Sequence, residues 1–179
     1  MRPLGLVYPG LVGTYTEEIR VAAPPRIAYA YRLDFSNLPA YNPKVADLRQ
    51  TAGGVGVGAE YEFRVRIAGL YRAPVRLRVV EAKEPSLIVV EIDALFDAVE
   101  RCRFEPDGAG TRLTFTTAVE TKGGPLAPLV DRLFVLPSGR SQVRSELERM
   151  RRALESRHAA SSPATIEGAR LDQNQGGTR

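Results

Sequence analysis

The sequence predicts an α+β fold in which a curved antiparallel sheet of about seven strands wraps around a long C-terminal helix, with short helices between the first two strands. Three observations support this prediction. Residues 46–120 read as successive strands with no helical segment between them, residues 143–154 carry apolar side chains at helical spacing, and an earlier strand precedes a short helical stretch. Because no helix separates the later strands, a parallel βαβ arrangement is disfavoured.

The first strand is predicted over Thr14–Val21, where polar and apolar side chains alternate up to the breaker AAPP. Pro25 suits the first turn of a helix because a helix start leaves amide hydrogens unused and proline has none to offer. Asn37, Pro39 and Pro43 then prevent a long helix. The chain therefore reaches the second strand through short helical segments.

The remaining strands are predicted in the segments ADLRQT, AEYEFRVRIAG, YRAPVRLRVVEA, LIVVEIDALF, AVERCRFEP and TRLTFTTAVET. In residues 60–67, apolar side chains alternate with Glu and Arg, which is typical of a sheet with one dry and one wet face. The glycine run at residues 53–59 loosely fits a dinucleotide-binding motif, but that motif opens a helix and this run opens a strand. We interpret it as a hairpin loop.

Two apolar stripes predict the closing helix, the first formed by Leu126, Leu129, Val130, Leu133 and Phe134, the second by Val143, Leu147, Met150 and Leu154. Between them, Pro137-Ser138-Gly139 predicts a kink or a break. Beyond Arg157 no periodic apolar face remains, so we expect disorder there. The predicted organisation is an N-terminal extension (residues 1–13), a single domain (residues 14–157) and a disordered tail (residues 158–179).

Composition narrows the function classes. A chain of 179 residues that is 44% hydrophobic can form one domain with a sizeable core. No apolar run approaches the roughly 18 residues of a membrane span, so we expect a cytoplasmic protein without stable membrane insertion. The net charge of +4 comes with carboxylates interleaved among the arginines, which indicates a solvated surface and no nucleic-acid partner.

Several kinds of catalytic site are excluded by residue counts. The chain has one histidine, His158, and one cysteine, Cys102. A Ser-His-Asp triad and a His-based zinc site each need a positioned imidazole, and a disulfide needs two cysteines. We therefore expect no metal and no cofactor. Cys102 shares a strand face with Phe104, which favours a buried filler over a reactive thiol.

Glu91 and Asp93 are the carboxylates whose direction matters most for function. They alternate with aliphatic residues, so they face water if the aliphatic set faces the core, paired with Arg101 or Arg103 of the next strand. The opposite register would bring Glu91, Asp93 and Arg101 together inside the fold as a catalytic constellation. Both registers remain open from sequence.

The element order, the amphipathic C-terminal helix and the motifs EIRVAAPPRIAYAY, DFSNLPAYNP, GVGAEYEF and GAGTRLTFTTAVE resemble the helix-grip (SRPBCC) superfamily. This superfamily includes START domains, Bet v 1-like proteins and bacterial polyketide cyclase/dehydrase-type proteins. The resemblance spans Thr14 to Arg157 and implies a helix-grip fold with a ligand cavity under the last helix. The family usually carries an aromatic residue at the place of Tyr41, at the cavity mouth, so Tyr41 is expected there; the alternative is a plug at the end of the core.

The interior residues predicted to contact a ligand are aromatic, aliphatic or hydroxyl-bearing. Phenols and a hydroxyl can orient a carbonyl-bearing or aromatic ligand while apolar walls bury its bulk. The predicted set is Tyr29, Leu33, Phe35, Tyr41, Tyr61, Phe63, Val65, Tyr71, Val90, Ile92, Phe104, Phe115, Thr117, Leu129 and Leu133.

Three functions fit these expectations. The first is binding of a hydrophobic small molecule such as a lipid, an isoprenoid or a polyketide-like compound. The second is an aromatase/cyclase or dehydratase acting on a poly-carbonyl substrate, which requires an ionisable side chain of perturbed pKa in the cavity; the sequence identifies none. The third is a regulatory or assembly module with a filled core, supported by any exposed apolar patch at residues 133–136. The protein is expected to be a monomer or a homodimer.

Overall fold

Seven antiparallel strands form one curved sheet, as predicted. The computed structural model describes residues 11–67, 71–122 and 139–161. The strands are β1 (Leu11–Val21), β2 (Val45–Ala52), β3 (Glu60–Ile67), β4 (Tyr71–Lys83), β5 (Leu87–Asp93), β6 (Phe96–Asp107) and β7 (Gly110–Thr121), in the order β1-β7-β6-β5-β4-β3-β2. The helices are α1 (Pro25–Leu33), α2 (Leu38–Tyr41) and α3 (Gly139–Ala160), with a 3₁₀ turn at Phe35–Asn37.

The strand register decides which side chains share the inner face of the sheet. Tyr15 of β1 is paired with Thr117 of β7, Thr117 with Glu100 of β6, and Glu100 with Val90 of β5. Directly paired residues point to the same side of a sheet. Val90 belongs to the buried core, so this row places Glu100 on the inner face.

The outer face carries Glu91 and Asp93, both exposed, which confirms the outward register. The sequence predicts an arginine of β6 as the partner of Asp93, but the structure shows a contact with Lys122 instead. The reason lies in the register: Asp93 and Asp97 are direct cross-strand partners, and Lys122 also lies 3.4 Å from Asp97. Lys122 therefore reduces the repulsion between two like charges and compensates one of them.

Two loops between strands test the sequence predictions. Residues 53–59 connect β2 to β3 without a helix, which confirms the hairpin interpretation. The segment LIVVEIDALF is not one strand, because the chain turns at residues 94–95 and Phe96 already belongs to β6. The turn is closed by the amide of Ala94, which donates to the carbonyl of Phe96 at 2.9 Å.

Helix α3 packs on the inner face of the sheet through the second predicted stripe. Leu147, Met150 and Leu154 are buried in the main core, and Val143 packs against them. The helix extends to Ala160, past the predicted end at Arg157, and β1 begins at Leu11, ahead of the predicted Thr14. The first stripe, the proline of the predicted kink and residues 162–179 lie outside the described residues.

Gly110 is expected to be essential for packing at the start of β7. A Cβ on Gly110 would lie 2.4 Å from the carbonyl oxygen of Val21, whereas a Cβ on Gly54, in the loop at residues 53–59, would meet nothing within 4 Å. Gly110→Ala should lower the free energy of unfolding by about 1–3 kcal/mol because the β1 backbone must move. Gly54→Ala should change it by less than about 0.5 kcal/mol. Urea unfolding of both variants checks this, and equal effects would contradict the close contact.

Candidate functional site

Arg32 is the least expected residue of the interior. It lies in the last turn of α1, next to the buried Tyr31, and its side chain is 3% exposed. Arginine is almost never fully buried unless it is paired. A buried partner of opposite charge is therefore expected beside it.

The partner of Arg32 is Glu100 on the inner face of β6. Arg32 Nη2 donates to Glu100 Oε1, and the Glu100 side chain is only 11% exposed. Arg32 Nη1 donates to the Tyr41 hydroxyl at 3.1 Å. The guanidinium carbon also lies 4.5 Å from the centre of the Phe35 ring and 5.7 Å from that of Phe115, which adds cation–π attraction. The cation is thus held by a carboxylate, a phenol and two aromatic faces.

Burial and the contact between Arg32 and Glu100 act in opposite directions on the charges of the two groups. Burial disfavours the charge of Arg32, but Tyr41 and Glu100 outweigh burial and raise the pKa of the guanidinium above its usual value. Burial raises the pKa of Glu100, and Arg32 offsets part of that rise. Removing one member of such a pair leaves the other as an uncompensated charge in the interior.

Glu146 brings a second carboxyl to the same place from α3. Asn42 Nδ2, just after α2, donates to Glu146 Oε2 at 2.8 Å. Burial, reinforced by the charge of Glu100, raises the pKa of Glu146 to about 7, although Arg32, Arg149 and the Asn42 hydrogen bond oppose the rise. A carboxyl with this pKa can both accept and donate a proton near neutral pH.

Of the two positions that the sequence left open for Tyr41, the cavity mouth and a plug at the end of the core, the structure favours the plug. Tyr41 is 1% exposed, and its hydroxyl accepts from the buried Arg32. Its ring lies 6.2 Å from that of Tyr31, and Arg149 Nε donates to its backbone carbonyl at 2.7 Å. The phenol turns inward because the cation it contacts is inside, so Tyr41 closes the end of the core.

Thr117 presents a hydroxyl to the interior beside Glu100. The residue is 5% exposed, and its Oγ1 has no hydrogen-bond partner among the described residues. The Thr117 hydroxyl offsets part of the rise that burial imposes on the pKa of the neighbouring Tyr15, but no hydrogen bond of normal geometry joins the two side chains. A buried polar atom without a partner is uncommon and marks a position where a bound molecule can supply one.

Most predicted ligand contacts lie on the inner side of the fold. The buried members are Tyr29, Phe35, Tyr41, Tyr61, Phe63, Val90, Phe104, Phe115 and Thr117, and Leu33, Val65 and Ile92 pack against them. Tyr71 was expected in the interior, which is wrong: as the first residue of β4 it is 54% exposed. Leu129, Leu133 and the patch at residues 133–136 lie outside the described residues.

The charged members of this site were missed by sequence reasoning. Glu100 could have been found, because the alternation that pairs Cys102 with Phe104 also places Glu100 on the inner face. Glu146 also gives a signal, because it lies three positions after Val143 and four before Met150 and so shares the apolar face of α3. Arg32 follows the buried Ala28 by four positions, but arginine is ordinarily a surface residue, so its burial could not be predicted.

The outer face of the sheet forms a hollow of about 1420 Å³. Its floor includes Val80, Val89, Val99 and Ala118. The charges around it pair with one another, in the contacts Arg76–Glu62, Arg78–Glu60, Lys83–Glu81 and Lys122–Asp93. Such pairing is typical of a solvated sheet face. Asp93, Asp97 and Glu120 form one acidic cross-strand row in this hollow, with Lys122 in contact with the first two.

Nucleophilic and metal chemistry find little support in the described part of the chain. Cys102 is buried, as predicted, and burial raises the pKa of its thiol, which keeps it in the unreactive neutral form. Across residues 11–67, 71–122 and 139–161, no three His, Cys, Asp or Glu side chains gather as a metal site. The helices within those ranges are too short or too polar to cross a membrane.

Comparison with known proteins gives one family and many similar folds. Residues 13–155 match the family model described as polyketide cyclase / dehydrase and lipid transport. No curated protein matches the chain. The crystal structure of the Zhui aromatase/cyclase from Streptomyces sp. R1128 has a TM-score of 0.73 at 17% identity, covering 84% of this chain and 98% of that chain.

Two further structures share the fold. The crystal structure of Ara h 8.0201 has a TM-score of 0.62 at 15% identity, covering 80% of this chain and 98% of that one. The di-domain ARO/CYC protein StfQ, from the steffimycin biosynthetic pathway, has a TM-score of 0.66 at 16% identity, covering 82% of this chain and 51% of that one. At these identities the likeness establishes the helix-grip architecture.

Breaking the Arg32–Glu100 pair should cost far more than breaking a surface pair. Arg32→Met leaves Glu100 buried and unpaired, so the free energy of unfolding should fall by about 3–5 kcal/mol at neutral pH. The double variant Arg32→Met/Glu100→Leu should recover most of that loss, because neither charge remains. The control is Arg49→Met, which breaks the exposed contact of Arg49 with Glu62 and should change the free energy of unfolding far less, because water screens that pair. A double variant as unstable as Arg32→Met would contradict the pairing.

Glu146 should make stability fall as the pH rises. Its folded pKa of about 7 lies above the ordinary 4.5, so between these values the folded state binds more protons at this carboxyl than the unfolded state does. That stabilisation is complete below about pH 4.5 and is lost by about pH 7. Glu146→Gln keeps a hydrogen-bonding oxygen for Asn42 and cannot ionise.

The measurement is the melting temperature of both proteins across the range from acidic to slightly basic pH. The wild type should lose stability relative to Glu146→Gln as the pH rises, while Glu148→Gln, on the same helix, should follow the wild type. Parallel curves for wild type and Glu146→Gln would show that the carboxyl has an ordinary pKa.

Proposed function

The chain belongs to the polyketide cyclase / dehydrase and lipid transport family, and on that premise we propose that it binds a hydrophobic small molecule between the sheet and the C-terminal helix. The ligand classes that fit are lipids, isoprenoids and polyketide-like aromatics. The observation that carries the proposal is a polar cluster in an otherwise apolar interior, formed by the buried Arg32, Glu100, Tyr41 and Thr117 and the half-buried Glu146.

A purely structural core gains little from such a cluster. Replacing a buried ion pair by apolar side chains is often neutral or stabilising, so the Arg32–Glu100 pair is a poor device for stability alone. The Thr117 hydroxyl adds a buried polar atom with no partner among the described residues. Groups of this kind are useful when a ligand completes their hydrogen bonds.

The surrounding side chains suit the apolar part of such a ligand. Tyr29 and Phe104 meet edge to face at 5.6 Å, and Phe35 and Tyr61 lie 5.5 Å apart. Aromatic walls bury a large apolar area and place it in defined geometry. The ligand's polar atom would lie beside Thr117, where the inner face changes from apolar to polar.

A second candidate is an aromatase/cyclase or dehydratase activity on a poly-carbonyl substrate. Glu146 supports it, because the pKa of about 7 allows this carboxyl to act as base and then acid. As base, Glu146 would take a proton from a carbon between two carbonyls, and the Tyr41 hydroxyl, which accepts from Arg32, would donate its own hydrogen to the enolate oxygen. The enolate carbon would bond to another carbonyl carbon, and protonated Glu146 would give its proton to the resulting alkoxide. Glu146 would then take the second hydrogen of the same carbon and pass it to the new hydroxyl, which leaves as water as the carbon–carbon double bond forms.

The Thr117 hydroxyl gives a test of ligand binding that is separate from folding. Thr117→Val removes an unpartnered buried hydroxyl, so the free energy of unfolding should stay constant or rise by about 1 kcal/mol. Ligand retention should nevertheless fall about tenfold, the value of one hydrogen bond to the ligand. The control is Thr116→Val on the outer face, which removes a 3.1 Å hydrogen bond to Thr16 and should leave retention unchanged.

The measurement is native mass spectrometry of freshly purified protein, followed by solvent extraction and identification of the released molecule. A discrete ligand mass that weakens in Thr117→Val alone supports the interior site. A ligand held equally by both threonine variants, or a clean apo mass with no thermal shift across an apolar ligand panel, would contradict it. For the enzyme candidate, a poly-carbonyl substrate mimic should lose one water with wild type and not with Glu146→Gln.

A further inference from the structure

We propose that the interior site selects neutral carbonyl- or hydroxyl-bearing ligands and rejects carboxylates, and that Glu100 is the residue that sets this preference. The inference rests on the proposed interior binding and names the ligand chemistry that this site accepts. The preference concerns only the polar end of the ligand, because the aromatic walls can contact an aromatic or an aliphatic apolar part.

The charge of the cluster is already balanced without a ligand. Arg32 is paired with Glu100 and hydrogen-bonded to the Tyr41 hydroxyl. Glu146 adds a second carboxyl from α3. A ligand carboxylate placed beside Thr117 would approach Glu100, its cross-strand neighbour, and would find the cation already neutralised.

The other nearby cation is also engaged elsewhere. Arg149 of α3 donates to the Tyr41 carbonyl and to the Ser145 hydroxyl, each at 2.7 Å. The described groups facing the pair are therefore one guanidinium from α1, a phenol from α2, a carboxylate from β6, a hydroxyl from β7 and a carboxyl from α3. Arg32 is the cation in contact with Glu100, and its charge is already paired.

Burial makes the discrimination stronger. Arg32 is 3% and Glu100 11% exposed, so water can neither screen the repulsion nor solvate an entering anion. A ketone or hydroxyl requires hydrogen bonds alone. Thr117 Oγ1 is unpartnered among the described residues, and the Tyr41 hydroxyl, which accepts from Arg32, keeps its own hydrogen for donation.

Two matched ligand pairs test the preference. Acetylnaphthalene and naphthoate have nearly the same shape but differ in charge, and a long-chain methyl ketone and the fatty acid of equal length form the aliphatic pair. At neutral pH, isothermal titration of wild type should give at least about tenfold tighter binding of the ketone in the pair that fits the interior. Glu100→Gln frees the charge of Arg32, so this variant should prefer the acid.

The matched control is Glu91→Gln on β5. It makes the same substitution on the outer face, where Glu91 is exposed, and should keep the wild-type preference for the ketone. Because Glu100→Gln leaves Arg32 unpaired, circular dichroism must first establish that it is folded. The double variant Arg32→Gln/Glu100→Gln carries neither charge and should bind the ketone without any gain for the acid.

Failure of the ligand preference and failure of interior binding give different results. Wild type that binds the acid as tightly as the ketone overturns the selectivity and leaves interior binding in place. A gain for the acid in the double variant, or a ketone preference retained by folded Glu100→Gln, overturns the role of Glu100. If no member of either pair binds wild type, the proposed function fails, and the inference with it.

Discussion

The buried contact between Arg32 and Glu100 is the constraint on which the helical side of this protein depends. It ties the end of α1 to the middle of the sheet, and through the Tyr41 hydroxyl it also fixes α2. Helix α3 then closes over both through the contacts Glu146–Asn42, Arg149–Tyr41 and Arg157–Asn37. The ion pair therefore links α1 and α2 to the sheet, and α3 is attached to the same region through α2 and the 3₁₀ turn.

This arrangement links packing to function. Apolar burial alone would hold α3 on the sheet, as Leu147, Met150 and Leu154 do, but apolar contacts allow many side-chain arrangements of similar energy. A paired charge in a dry interior allows few side-chain arrangements, because any displacement leaves the charge unpaired. The cluster gives the interior a fixed polar end and an apolar remainder, which is the layout of a small-molecule site.

The sequence predicted the architecture better than the site. Alternation of side chains was enough for the sheet, the outward register of Glu91 and Asp93, and the stripe of α3, because each follows from a local period. The direction of Tyr41 could not be read in this way: it depends on Arg32, whose burial depends on Glu100, 68 positions away. Contacts among three residues on three different elements leave no local sequence pattern. In addition, arginine is ordinarily a surface residue, so its burial is not expected.

The most direct test of the account is to map where a neutral ligand binds. Methyl and arginine side-chain NMR spectra, recorded while a neutral ketone that binds the protein is added, should show the largest shift changes at the Thr117 methyl group and at the Arg32 Nε–H. The outer hollow supplies the opposing probes, because Val80, Val89 and Val99 lie in its floor. Largest changes at those valines, with Thr117 and Arg32 unmoved, would place the ligand on the wrong face of the sheet and contradict the interior site.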